Sequence, residues 1–378
     1  MQGAATYSGK DISRAGTVLV QPNIAEKDPT VFANAMEVLS YWRACHEEPL
    51  NSAVELLSRC SQKHDKQAVI AKRLKRAPSI INKLRRFEGM KLRTMQDIGG
   101  CRVIVSNEKR VRKVVRELRE KKDFKVKDYI RKPKPDGYRS IHLVGDFSNG
   151  HGSMRSIELQ VRTDAQHAWA TAVEIIDLFT GQAIKASQGT EEWRRFFRCA
   201  GDQIALIEDI HLYNQIPTVR LIGEILRRFR ESDGKDESVV ENAAALYSLG
   251  EKLGILEHFN ARANSLKAAD DHFTRESTNG YVLLEISLKK HAITSHLFPE
   301  GKFEQGVEAY LVAEKNAAVS EGIVVALVST DALGGIKEAY PNYFADSTLF
   351  MRYISASIAA YKQYNPNALS RALKKFFG

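Results

Sequence analysis

The spacing of apolar positions divides the chain into stretches of different period. Residues 1–29 show little periodicity and read as a loose arm. From 30 to about 45, Phe32, Met36, Leu39, Tyr41 and Trp42 recur at helical spacing, and Val54, Leu56 and Leu57 repeat the pattern over 52–59. Residues 66–87 read as a long basic helix or helix pair. Its break is expected just before Pro78, because proline lacks an amide donor and restricts the residue before it. The period then changes. Residues 101–106 (CRVIVS) are a β-branched run after Gly99 and Gly100, which predicts a buried strand. Residues 108–121 place Val111, Val114, Val115 and Leu118 on one face of a basic helix. Three more strands are expected over 124–130, 140–144 and 156–161, the last two joined by FSNGHGS. A helix with Thr163 as N-cap follows to about 178. Together these elements make an α/β or α+β unit with a mixed sheet.

Residues 191–259 read as almost entirely helical, punctuated by Pro217 and SDGKDES. A second mixed unit follows: paired strands at 281–288 and 292–297, a helix at 303–315, and a strand at 323–329. The segment YPNYF (340–344) reads as a turn, and 346–364 as a closing helix capped by Asp346 or Ser347. The expected division is a front domain over 1–190, a helical connector over 191–268, a small domain over 269–345, and C-terminal helices over 346–378.

A chain of 378 residues has room for two or three domains, and 43% hydrophobic with 27% charged residues excludes a disordered or collagen-like polymer. Apolar runs such as 322–328 fall far short of the ~18 residues a membrane span needs. No basic segment followed by an apolar core opens the chain, so a cytoplasmic protein with no membrane partner is expected. Cys45, Cys60, Cys101 and Cys199 form no C-x-x-C pair and read as reduced, buried thiols. Zinc held by His272, His291 and His296 is not expected, because no thiolate lies near them.

Charge is distributed unevenly. Residues 1–190 carry 34 Lys and Arg against 21 Asp and Glu, a net +13; the remainder, with 22 against 25, is −3. A basic front half points to a polyanionic partner, either nucleotide phosphates or nucleic acid. Within it, residues 72–93 hold nine basic residues and one acidic residue. Arg73, Lys75 and Lys83 could converge there on one polyphosphate. Asp97, just before the strand at 101–106, is a candidate Mg²⁺ ligand where phosphates supply other oxygens. Glu158, Gln160 and Arg162 share a strand face opposite Ile157 and Leu159, which suggests a polar cleft rather than core. In 128–143 (DYIRKPKPDGYRSIHL), a Pro-Asp-Gly turn is expected to hold Tyr138 outward as a stacking platform for a base. Lys132, Lys134 and Arg139 can reach phosphates, and His142 shares the face of Tyr138.

In order and spacing, these segments resemble the synthetase domain of the RelA/SpoT family, over about residues 66–180. The motifs are R-x-K-x-x-x-S-I-x-x-K (Arg73, Lys75, Ser79, Lys83), D-I-G-G-x-R (Asp97, Arg102), K-P-x-x-G-Y-x-S-I-H (Lys132 to His142), and E-x-Q-x-R-T with Q-H-x-W (Glu158 to Trp169). The resemblance implies an α+β fold, a mixed-sheet, nucleotidyltransferase-like domain flanked by helices. It implies pyrophosphate transfer from ATP to a ribose 3′-hydroxyl. Arg73 and Arg110 would sandwich the adenine, while Lys75, Ser79 and Lys83 would hold phosphates. Asp97 and Glu158 would bind Mg²⁺, with Glu158 also the base. Tyr138 would stack on the acceptor base, and Lys132, Lys134, His142, Gln160, Arg162 and His167 would line the acceptor channel. No H-D hydrolase motif precedes the domain, so hydrolysis of the product is not expected.

The tail is similar to that of fused toxin–antitoxin synthetases of the CapRel type, which carry a zinc-finger-like domain without metal. YPNY (340–343) matches their Y-x-x-Y motif. The resemblance implies that Tyr340 and Tyr343 occupy the adenine site and keep the enzyme off. It also implies tRNA as acceptor, modified at its 3′-CCA end, and a phage structural protein such as the major capsid protein as the releasing partner. Synthesis of (p)ppGpp or ppApp from a free nucleotide is the alternative enzyme. A non-catalytic nucleotide or RNA sensor is a third reading, which the presence of both Asp97 and Glu158 disfavours.

Overall fold

The computed structural model describes residues 6–149, 152–180, 184, 189–232, 237–255, 259, 280–287, 292–299, 301–319, 323–329 and 347–365. Tyr340 and Tyr343 lie outside the described residues. The fold is α+β with a mixed sheet, as expected.

The opening arm is helical. Helix α1 (Gly9–Leu19) starts at a reciprocal cap in which Ser8 and Asp11 satisfy each other's backbone amides, and it buries Ile12, Ala15, Gly16 and Leu19. Its inward face uses small residues, which hides the periodicity. After the short α2 (Ile24–Lys27), α3 (Pro29–Ala44) and α4 (Glu47–Gln62) match the expected helices, the latter starting earlier than expected.

Residues 66–87 correct the sequence expectation. Their first part is a strand, β1 (Val69–Leu74), and Pro78 opens rather than interrupts the helix α5 (Ala77–Arg86). Proline fits a first helical turn because the amide it lacks has no intrahelical partner there. Strand β2 (Gly99–Val105) and helix α6 (Glu108–Lys121) follow, then β3 (Lys125–Asp128), β4 (Ile141–Ser148) and β5 (Met154–Thr163). The five strands lie in the order β1-β2-β5-β4-β3, with β2 and β5 parallel and the other pairs antiparallel. One face is apolar. Cys101, Val103, Leu143, Leu159 and Val161 pack there with Leu57 of α4 and Val111, Val114 and Leu118 of α6.

Helix α7 (Asp164–Thr180) opens with Thr163 as its cap: the Gln166 amide donates to Thr163 Oγ1 at 3.1 Å, and the Thr163 amide to Gln166 Oε1 at 3.2 Å. Helices α8 (Glu191–Glu208), α9 (Thr218–Ser232) and α10 (Glu237–Lys252) follow. The last helix, Ser347–Tyr364, packs into the same core, where Phe350, Tyr353 and Ile354 meet Phe196, Phe197 and Phe229. The intervening unit is a three-stranded antiparallel sheet, β7-β6-β8 (Ala292–Pro299, Gly280–Ser287, Ile323–Ser329), with the helix Phe303–Val319 against it. That helix also reaches the front unit. Glu314 is buried, accepts from the Ala77 amide at 3.0 Å and from Tyr310 Oη at 2.9 Å, and pairs with buried Arg43 at 2.7 Å. It therefore satisfies an amide at the start of α5, whose N-cap Arg76 makes no side-chain cap. Among the described residues no helix is long and apolar enough to cross a membrane.

Candidate active site

The sheet face opposite the apolar core is the floor of a polar cleft. Glu158, Gln160 and Arg162 alternate with buried Ile157, Leu159 and Val161 along β5. Strand register then aligns partners across the sheet. Arg73, Gly100, Glu158 and Val144 form one row; Arg102, Gln160 and His142 form the next. Helix α5 and the segment before β2 bring groups to one side of this floor, and the β3–β4 loop brings groups to the other.

On the α5 side, Asp97 is held between two lysines. Lys75 Nζ lies 2.9 Å from Asp97 Oδ2, and Lys83 Nζ lies 2.8 Å from Asp97 Oδ1. Burial raises the carboxyl pKa, but the Lys75 and Lys83 charges outweigh it and hold it below the usual value. For Lys75 burial is the largest influence and lowers the ammonium pKa; Lys83 and Arg73 add to this while Asp97 opposes it. Arg73 is exposed on β1, and Ser79 sits in the first turn of α5.

Glu158 is at the centre of the floor. Its Oε1 lies 2.9 Å from His142 Nδ1, and Gln160 Nε2 donates to its Oε2 at 2.8 Å. Burial pushes its pKa up, but the His142 contact, Gln160 and the Lys75 charge together bring it down to about 2. His142 Nε2 in turn lies 2.8 Å from Tyr138 Oη. A continuous chain therefore runs Tyr138–His142–Glu158–Gln160.

Tyr138 departs from its expected outward pose. The Pro-Asp-Gly turn forms, with the Tyr138 amide donating to Asp136 Oδ1 at 3.0 Å, but the ring turns inward, edge-on to Tyr129, His142 and Trp169. Lys134 Nζ sits 4.7 Å from the centroids of both Tyr129 and Tyr138. Lys132 is exposed at the loop's edge, while buried Arg162 and His167 contact each other beyond Gln160.

Arg110 is already paired. Its guanidinium lies 2.9 Å from buried Asp65 and 2.6 Å from Ser106 Oγ. Arg102 sits nearer the cleft floor. Burial, then the Arg162 charge, then that of Arg73, push its pKa down to about 9 against the pull of Glu174. The D-I-G-G-x-R motif contains Arg102 without assigning it a role. The signal was its position two residues after Gly100 on a strand whose alternate residues line the cleft.

Asp97 and Glu158 are two hard-oxygen donors that both feel the charge of Lys75. This donor set suits Mg²⁺ when phosphates complete the shell, since Mg²⁺ is usually held by one or two carboxylates plus substrate oxygens. Two carboxylates alone make no metal cage, and among the described residues no group of three or more His, Cys, Asp or Glu side chains is placed to hold a metal.

Residues 72–175 match the region found in RelA / SpoT proteins. The chain is 38% identical over 111 residues to GTP pyrophosphokinase YwaC of Bacillus subtilis (strain 168), covering 26% of this chain and 52% of that protein. It is 35% identical over 116 residues to GTP pyrophosphokinase YjbM of the same organism, covering 29% and 55%. The chain thus spans about half the length of these relatives. The crystal structure of small alarmone synthetase 1 from Bacillus subtilis bound to its product pppGpp is 26% identical, covering 45% of this chain and 94% of that one, with a TM-score of 0.38. Residues 72–175 of the chain thus match the region found in RelA / SpoT proteins, and over that stretch the chain is similar to GTP pyrophosphokinases.

Proposed function

We propose that the front unit is an ATP-dependent pyrophosphokinase whose acceptor is the 3′ end of tRNA, and that the C-terminal unit restrains it until a phage structural protein binds. The observation that carries the catalytic part is that Lys75, whose Nζ lies 2.9 Å from Asp97, also bears electrostatically on Glu158, which ties both carboxylates to one cleft. In the reaction, the acceptor hydroxyl oxygen bonds to the β-phosphorus of ATP. The bond from that phosphorus to the bridging oxygen of AMP breaks, and AMP leaves. Glu158, ionised at neutral pH, orients the hydroxyl and accepts its proton. Lys75, Lys83 and Ser79 bind the phosphates, and Arg73, with Arg102 or Arg110, binds the adenine. Asp97 and Glu158 would hold Mg²⁺, which neutralises phosphate charge when bound. Such chemistry depends on positioning and charge neutralisation more than on covalent catalysis.

The +13 charge of residues 1–190 supports a polynucleotide acceptor, because each neutralised phosphate releases counterions. The restraint follows the YPNY resemblance: Tyr340 and Tyr343 would dock in the arginine-lined adenine site, and the small unit over 269–345 would be a metal-free zinc-finger-like sensor. Release is then a population shift, for which the trigger must prefer the open state. The similarity to GTP pyrophosphokinases favours a second reading, synthesis of an alarmone on a free nucleotide, (p)ppGpp first and ppApp as its adenine counterpart.

The deciding experiment follows γ-³²P-labelled ATP with the full chain and with Tyr340→Ala, offering deacylated tRNA and, separately, GDP, GTP and AMP. Label on the tRNA 3′ end, stronger with Tyr340→Ala, supports the toxin. Label on a free nucleotide alone supports the alarmone reading, and no label on any acceptor refutes both.

A further inference from the structure

We infer that helix α8, in the stretch the sequence marks only as a connector, positions the acceptor side of this site, and that Gly201 is the residue that permits it. The inference rests on the pyrophosphokinase reading, with the acceptor lying over the Tyr138–His142–Glu158 chain.

The β3–β4 loop does not stand free; its backbone lies directly on the backbone of α8. Gly137, at φ +92°, has no room for a side chain: a Cβ there would come 2.9 Å from the Phe197 carbonyl oxygen and 3.0 Å from Arg198 Cα. From the other side, a Cβ on Gly201 would come 2.7 Å from the Gly137 carbonyl oxygen and 3.2 Å from its Cα. Two glycines thus face each other where helix and loop cross, and both obstacles are main chain, which cannot rotate away. Side chains fasten the same crossing. Arg198 Nε donates to the Pro135 carbonyl at 2.9 Å. Arg139 pairs with Glu208, which also takes a hydrogen bond from Gln166 at 3.0 Å. Trp169 Nε1 donates to the Phe197 carbonyl at 2.8 Å, so one carbonyl of α8 abuts both Gly137 and the ring that packs on Tyr138.

What α8 holds is the residue next to Gly137. Tyr138 is hydrogen-bonded to His142, and His142 to Glu158. Displacing the loop by a few tenths of an ångström moves Tyr138 and Lys134 against the acceptor. It leaves Arg73, Lys75, Ser79 and Lys83 in place, because these stand on β1, α5 and the short connection between them, at the opposite edge of the sheet.

The test is steady-state transfer from labelled ATP in the full chain, using whichever of wild type and Tyr340→Ala is active, with tRNA and with GTP as acceptors. Gly201→Ala is expected to raise the acceptor KM by about 10–100-fold, since a small misplacement near the chemistry carries a cost of that order, with the KM for ATP unchanged. Arg198→Gln, at an exposed side chain, is expected to raise the same KM less, and it keeps the test open if Gly201→Ala does not fold. Gly223→Ala, on α9 where a Cβ meets nothing within 4 Å, serves as the control and should change neither. An unchanged acceptor KM in Gly201→Ala and Arg198→Gln, or equal rises in both KM values, overturns the positioning role. Absence of transfer by both active-form candidates overturns the pyrophosphokinase reading and the inference with it.

Discussion

Arg43 and Glu314 meet 2.7 Å apart although 271 residues separate them in sequence, and both side chains are buried. The pair joins α3 of the front unit to the helix Phe303–Val319, and the same carboxylate takes the Ala77 amide of α5. Removing one partner of a buried pair strands the other charge, at a cost of about 3–5 kcal/mol. Glu314→Ala is therefore expected to lower the urea midpoint strongly. Glu314→Gln, which keeps an acceptor for Ala77 and Tyr310, should lie between Ala and wild type. Equal midpoints for Glu314→Ala and wild type would show that the pair does not fasten the two units.

Glu158 is expected to be indispensable for transfer. Glu158→Gln retains the shape of the His142 and Gln160 contacts but removes the charge. Transfer should fall by at least 10²–10³-fold, the order seen when one preorganised electrostatic group is lost. Asp97→Asn should do the same while leaving Lys75 and Lys83 facing each other. Label transfer by either variant at the wild-type rate would contradict the proposed chemistry.

Acid stability should fall through two adjoining windows. His46 is buried, with Nδ1 2.8 Å from the Trp42 carbonyl oxygen. Burial is the main cause that pushes its pKa down to about 4, the His46–Trp42 contact opposes this, and Arg155 adds to the fall. The unfolded ring takes a proton near 6.5, the folded one only near 4, so its contribution is intact above 6.5 and is lost as pH falls to about 4. Glu158, with a folded pKa of about 2 against 4.5 unfolded, contributes above 4.5 and is lost between 4.5 and about 2. Unfolding free energy against pH should show the upper window flattened in His46→Gln and the lower one in Glu158→Gln.

Salt separates the two acceptors. Transfer to tRNA should weaken steeply with ionic strength, with a log–log slope set by the number of phosphates neutralised. Transfer to GTP should weaken much less. Parallel slopes would argue that the basic front surface does not contact a polynucleotide.

Local patterns carried the sequence reading where neighbours in sequence decide the structure. The helix over 108–121 and its four valine and leucine positions emerge at the expected bounds, as does the Thr163 cap, because periodicity and capping are short-range. Strand β1 was hidden because it is an edge strand with little alternation in burial, so its lysine and arginine looked like part of the basic helix beyond. The site follows the same division. The face shared by Glu158, Gln160 and Arg162 could be read from period two. The capture of Arg110 by Asp65, and the inward turn of Tyr138 onto Trp169, depend on groups brought by distant elements.

The helical core has a consequence for synthesis of the protein. Phe350 stacks on Phe197 with centroids 6.0 Å apart, and Tyr353 and Ile354 are buried in the same cluster. A nascent chain that has not yet emitted residues 347–364 leaves the outer surface of α8 and α9 open to water, and α8 is the helix on which the Tyr138 loop rests. The front unit therefore acquires its full support only after the segment carrying Tyr340 and Tyr343 has left the ribosome. On the proposed reading, translation order itself delivers the restraint before the enzyme is finished.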